Sequence, residues 1–91
     1  MKVNVEVNEL ITLKSLQRVV EQVQRFSLGR YRRHLRDLRV NIFDRHRPQG
    51  GTELCCEVEA RLQDNVTVMA RYSDTDPVRA VGTAFERASR A

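Results

Sequence analysis

The stretch Glu53-Leu54-Cys55-Cys56-Glu57-Val58-Glu59-Ala60-Arg61-Leu62 alternates apolar with polar side chains over ten residues, the period of a strand with one buried face. Asp64-Asn65 follows as a tight turn, and Val66, Val68, Ala70 and Tyr72 resume the alternation, so residues 53–72 predict an antiparallel hairpin. Upstream, Leu38, Val40 and Ile42 alternate with Arg39, Asn41 and Phe43 to give another strand. It stops in Arg45-His46-Arg47-Pro48-Gln49-Gly50-Gly51, expected to be a mobile loop and the one linker-like stretch of the chain.

Further out on the amino-terminal side, Leu16, Val19, Val20, Val23 and Phe26 recur at helical spacing behind a capping Thr12. Tyr31 and Leu35 could continue that stripe past Gly29, which puts the helix end near His34. Val3, Val5 and Val7 form the buried face of a first strand. On the other side, Asp76-Pro77 offers an N-cap and a first-turn proline to a second helix. Its inner face is Val78, Val81, Phe85 and Ala88, and Gly82 marks close approach to another element, expected to be the first helix. The order is β-α-β-β-β-α. Each strand is apolar on one face only, so both helices must cover that face of a four-stranded, mainly antiparallel sheet: a two-layer α+β sandwich.

Ninety-one residues hold one such domain, and 41% hydrophobic with 31% charged residues is the composition of a folded chain. No apolar run is long enough to cross a bilayer, and Met1-Lys2-Val3-Asn4-Val5-Glu6 lacks the order of a secretion signal, so a cytoplasmic protein without a membrane partner is expected. Cys55 and Cys56 point to opposite faces of a strand, which disfavours a disulfide and predicts one buried and one exposed thiol.

Charge is unevenly spread. Residues 12–36 and 77–91 carry ten basic side chains, Lys14, Arg18, Arg25, Arg30, Arg32, Arg33, Arg36, Arg79, Arg87 and Arg90, against Glu21 and Glu86. The remainder carries six basic against ten acidic residues. With the helices on one side, this predicts a guanidinium-rich helical face and a weakly acidic strand face, suited to a phosphate backbone. Arginine's planar fork, which grips phosphate oxygens in pairs, fits structured RNA, and those ten residues are the candidate RNA-binding set. Tyr31 could stack on a base, but its spacing between Phe26 and Leu35 favours the core.

Other chemistry finds no support in the residues. His34 and His46 stand at no metal-ligand spacing from the cysteines, no serine occupies a nucleophile elbow, and Gly50-Gly51 is followed by no phosphate-binding lysine. No catalytic residue, metal, cofactor or small-molecule substrate is therefore expected. The strand face has Phe43 alone, so RNA would meet the helices.

Several segments resemble the ribosome hibernation-promoting factors and ribosome-associated inhibitors: Ile11-Thr12-x-x-x-Leu16, Leu28-Gly29-Arg30-Tyr31 with Leu35, Glu59-Ala60-Arg61-Leu62, and Asp76-x-x-x-Ala80-Val81-x-x-Ala84-x-Glu86-Arg87-x-x-Arg90. The likeness covers almost all of residues 1–91 and implies one ribosome-binding domain whose fold is like that of a double-stranded-RNA-binding domain. It further implies docking on the small ribosomal subunit and its rRNA over the mRNA and tRNA sites, with Arg87 and Arg90 facing rRNA. Translation would be held off by steric occlusion without catalysis. Val78 stands near the position where the family commonly has an aromatic residue, and the basic tail and dimerisation domain of longer relatives are missing. The resemblance is thus to a short form, expected as a monomer of lowered affinity that does not pair ribosomes by itself. A true double-stranded-RNA-binding domain is disfavoured by Asp74, Asp76 and Pro77 where such domains place lysines. The alternative of another class is a protein-interaction or regulatory module on the same fold, with the basic helices merely solvated, or with Glu53, Glu57 and Glu59 meeting a partner.

Overall fold

The computed structural model describes residues 2–7 and 13–90. Along the chain run β1 (Lys2–Val7), α1 (Leu13–Ser27), β2 (Leu35–His46), β3 (Thr52–Leu62), β4 (Thr67–Asp74) and α2 (Pro77–Arg90). The strands form one sheet in the order β1-β2-β3-β4, with β1 parallel to β2 and the other two pairings antiparallel. Both helices pack on the same face, α2 over β3 and β4 and α1 beside it, giving the two-layer α+β sandwich that the one-sided alternation requires.

The core lies between the layers. Val40, Ile42, Cys56, Val58 and Ala60 on the strands meet Val19 and Phe26 of α1 and Val81 and Phe85 of α2, all buried. Ala80, Ala84 and Ala88, fully buried on α2, keep its sheet-facing side small enough to lie close to the strands. Asp76 caps that helix as its sequence position predicts. Its Oδ1 accepts from the Val78 and Arg79 amides at 3.0 and 3.5 Å, satisfying donors that the first turn leaves free. The Thr12 cap and the Ile11-Thr12 part of the helix-start motif lie outside the described residues.

The first helix is shorter than its apolar stripe suggests, ending at Ser27 and not near His34. The Leu28 and Gly29 amides bond the Arg25 and Phe26 carbonyls in a tightened last turn, and Tyr31 O then accepts from both His34 N and Leu35 N at 2.9 Å. Leu35 therefore belongs to β2. Leu35 and Leu38 are both buried although three residues apart, which strict alternation forbids. A β-bulge at Arg36, between the paired residues Leu35 and Asp37, resets the alternation and lets both leucines reach the core. The Tyr31–Leu35 interval imitates a helix because one isolated turn, closed by Leu35 N donating to Tyr31 O, has the same four-residue spacing.

Four further expectations are corrected. The segment after β2 is no linker: pairing persists to His46 opposite Thr52, and a five-residue turn closes with Arg47 N bonded to Gly51 O, its Gly50 and Gly51 both at positive φ. Val66 falls in the turn before β4, and its side chain is half-exposed. Val3 and Val5, expected inside, are 41% and 36% exposed, because β1 is an edge strand with nothing beyond it in the sheet. Finally both thiols are buried. Cys56 faces the core, while Cys55, on the open face, is small enough to be covered by its taller neighbours: Arg71 Nε donates to its Sγ at 3.4 Å, and the same guanidinium lies 6.0 Å from the Phe43 ring.

Burial, with the neighbouring Cys55 and Glu57, raises the Cys56 thiol from 9.0 to about 12. Between those values the folded chain holds a proton that the unfolded chain has lost. Its stabilisation is complete below the unfolded value and disappears as pH rises toward the folded one. Both thiols should be inert to a disulfide reagent at neutral pH until denaturant is added. The unfolding midpoint should decline from about pH 9 upward, and that decline should be weaker in Cys56→Ala; equal alkaline sensitivity in the variant would contradict the assignment.

Candidate nucleic-acid interface

Spacing on α1 decides which cations gather. Lys14, Arg18 and Arg25 fall on one side of the helix, displaced from the buried line of Ser15, Val19, Gln22 and Phe26. Arg18 and Arg25 join Arg30, from the turn after α1, around a groove of about 320 Å³ between the helices. Phe26, Tyr31 and Phe85 supply its apolar lining, and Gly82, Glu86 and Ser89 its α2 wall.

Arg18 is the fixed point of this groove. Its Nη1 donates to Glu21 Oε1 at 2.8 Å. The buried Gln22 amide, oriented with its oxygen toward the guanidinium, accepts from Nη1 and Nη2 at 3.2 and 3.1 Å. Nε is buried without a hydrogen-bond partner among the described residues. The guanidinium occupies the space left by Gly82, where an added Cβ would stand 3.1 Å from Nη2. So Gly82 does mark an approach to the first helix, as its sequence position suggested, but to a side chain and not to backbone.

The other candidates divide. Arg25 also reaches Glu21, at 3.7 Å, so one carboxylate serves two arginines. On α2, Arg90 pairs with Glu86 at 2.7 Å and Arg79 with Asp74 at 3.9 Å. Arg87 lies over the Tyr72 ring, 4.7 Å from its centroid, and Arg30 over Tyr31 at 5.4 Å. Lys14, Arg30, Arg32, Arg33 and Arg87 are exposed and have no carboxylate partner among the described residues. Arg30, Arg32 and Arg33 stand in the turn between α1 and β2, not on a helix. Arg36 departs from the set: as the bulge residue of β2 it lies beside Asp37, Arg61 and the β3–β4 turn.

Tyr31 is half-buried against the core, with its ring 6.0 Å from that of Phe26, in agreement with its spacing. Gln22 and Tyr72 went unnoticed as parts of this surface. A glutamine inside the stripe Val19-Val23-Phe26 and one turn from Arg18 was the available sign for the first; nothing local marks Tyr72, because Arg87 reaches it only in the folded chain.

The strand face is balanced and not acidic. By the pairing register it carries Lys2, Arg39, Arg45, Arg61 and Arg71 against Glu6, Asp37, Glu53, Glu57 and Glu59. Arg39–Glu59 and Arg61–Asp37 contacts at 3.7 and 3.9 Å tie part of it together. Asp44, Asp64, Asp74 and Asp76, counted with the strands in the sequence, lie outside this patchwork at strand ends and turns. Among the described residues no cluster of His, Cys, Asp and Glu could hold a metal ion, and no helix is long and apolar enough to cross a membrane. No family model matches this sequence, and no curated protein matches it either.

Gly82→Ala adds about 1 kcal/mol of helix propensity and sets a Cβ 3.1 Å from the Arg18 guanidinium, which can give by a few tenths of an ångström because its partner Glu21 is half-exposed and can follow it. Thermal melting should show stability unchanged or raised; a loss above about 1 kcal/mol would mean that the groove cannot yield there.

Proposed function

We propose that this chain is a non-enzymatic, ribosome-associated factor of the hibernation type, which binds small-subunit rRNA through its helix-and-turn surface and occludes the path of mRNA and tRNA. The observation that carries the reading is the asymmetry of charge between the two layers. Glu21, Glu86 and Asp74 engage Arg18, Arg25, Arg90 and Arg79, and five exposed cations on or beside the helices remain unpaired among the described residues. The opposite face matches cation with carboxylate and has no comparable surplus. A phosphate backbone is the polyanion such a surface suits, since each guanidinium that meets it releases condensed counterions. The helix–turn–strand and Asp76-to-Arg90 segments that resemble the hibernation factors point to the ribosome in particular.

Steric occlusion requires only occupancy, so no group has to reach a reacting atom. Arg30 and Arg87, already lying against tyrosine rings, are restricted in orientation before any phosphate arrives, which lowers the ordering cost of contact.

Co-sedimentation with small subunits tests the reading. If the five unpaired cations each neutralise a phosphate, log affinity should fall with log salt at a slope of about −4. Replacing Arg30, Arg33, Arg87 and Arg90 by glutamate should abolish binding with the circular dichroism spectrum retained and only a modest fall in melting temperature, since Arg87 leaves the Tyr72 ring and the Arg90–Glu86 pair turns repulsive. Arg45→Gln and Arg61→Gln, on the strand face, should leave binding intact. Undiminished co-sedimentation of the fourfold variant, or a complex indifferent to salt, would refute the surface.

A further inference from the structure

The two edges of the sheet are treated differently. Along β4 the helix-side residue Tyr72 is covered by the Arg87 guanidinium, and Arg71 stands on the other face, charges that discourage another strand from pairing there. On its helix side β1 has no such guard, and its charged residues Lys2 and Glu6 both stand on the strand face. Its helix-side residues Val3 and Val5 are partly exposed, and with Leu16, Val19, Val20, Val23 and Gln24 of α1 they line a groove of about 260 Å³ whose walls are aliphatic apart from Gln24. Leu13, Leu16 and Val20, on the flank of α1 turned away from α2, are 72%, 38% and 52% exposed.

We propose that this edge pairs with β1 of a second copy of the chain, antiparallel about a twofold axis through Asn4. The strand is complementary to itself in this register. Residues facing the same side must oppose each other, or valines would meet the polar face of the partner strand. Centring on Asn4 satisfies this and sets Val3 against the partner's Val5 and Lys2 against the partner's Glu6, on both sides of the axis. Within one copy Lys2 stands opposite Asp37 in the register without closing an ion pair, and Glu6, opposite Asn41, has no ion-pair partner among the described residues.

The helical layer closes at the same time. A twofold perpendicular to a continuous sheet keeps both copies' helices on one face. Since α2 lies over β3 and β4 and α1 packs beside it, α1 stands on the β1–β2 side of its own copy; the two α1 axes are then about two strand spacings apart, roughly 9–10 Å, the ordinary distance for packed helices. The exposed leucines and valine of the outer flanks then meet each other. Eight strands become one sheet, and the two cationic surfaces face the same way. The monomer expected from sequence gives way to a symmetric dimer, and the inference stands independently of what the cationic surface binds.

Sedimentation equilibrium of the full chain, with any affinity tag at the carboxyl end, tests this. A concentration-dependent dimer is expected. Lys2→Glu and Glu6→Lys, each turning two attractive cross-strand pairs repulsive, should weaken it about tenfold, and the double swap should restore it. These side chains are four residues apart in an extended strand and cannot reach each other within one copy, so restoration reports the intermolecular pair. Val20→Gln should weaken association without altering the melting of the dilute monomer. A chain still monomeric at about 1 mM, a dimer insensitive to the single swaps, or a double swap no better than either single overturns the proposal, as does an unrelated peptide filling the groove of a persistent monomer.

Discussion

A sheet that is apolar on one face only must receive both helices on that face, and most of the molecule follows from this constraint. Four strands, at about 4.8 Å each, are wide enough for two helices side by side and no more. α2 settles over β3 and β4 on the fully buried Ala80, Ala84 and Ala88, and α1 takes the remaining side. The two helices thereby share one boundary, where Arg18 is held by Gln22 and Glu21 against the gap at Gly82. The outer flank of α1 is left over the sheet edge with its leucines and valine uncovered.

The same constraint sorts the charges. Residues that cannot enter the interlayer space on the helical side must project outward, and there arginine outnumbers carboxylate. On the strand side, cross-strand neighbours are mostly of opposite sign, so the alternation that buries Cys56, Val58 and Ala60 also sets Glu59 beside Arg39 and Asp37 beside Arg61. Surface pairs of this kind add little stability. Their consequence is a face with little net field, which leaves the helical side as the direction from which a polyanion is attracted.

Much of the architecture was legible in local pattern. The Cys56-Val58-Ala60 alternation, the Asp64-Asn65 turn and the Asp76-Pro77 helix start each rest on interactions within a few residues, and each stands where its residues place it. The region between α1 and β2 was not legible. There a tightened helix end, a turn and a bulge combine to put Phe26, Tyr31, Leu35 and Leu38 into one core, and a reading by a single period cannot register two changes of period. Extending the helix to His34 placed Arg30, Arg32 and Arg33 on it and counted Arg36 with them, although the first three stand in the turn beside it and Arg36 belongs to β2.

Sequence alone determined the order of elements, the buried face of the interior strands and the segments that carry excess arginine, because periodicity and composition are local properties of the chain. Tertiary structure decided which arginines share a groove, which are neutralised by Glu21, Glu86 and Asp74, why Cys55 is covered on an open face, and why Val3 and Val5 are not. Each of those outcomes depends on side chains brought together from distant positions, and on whether a strand ends up inside a sheet or at its edge.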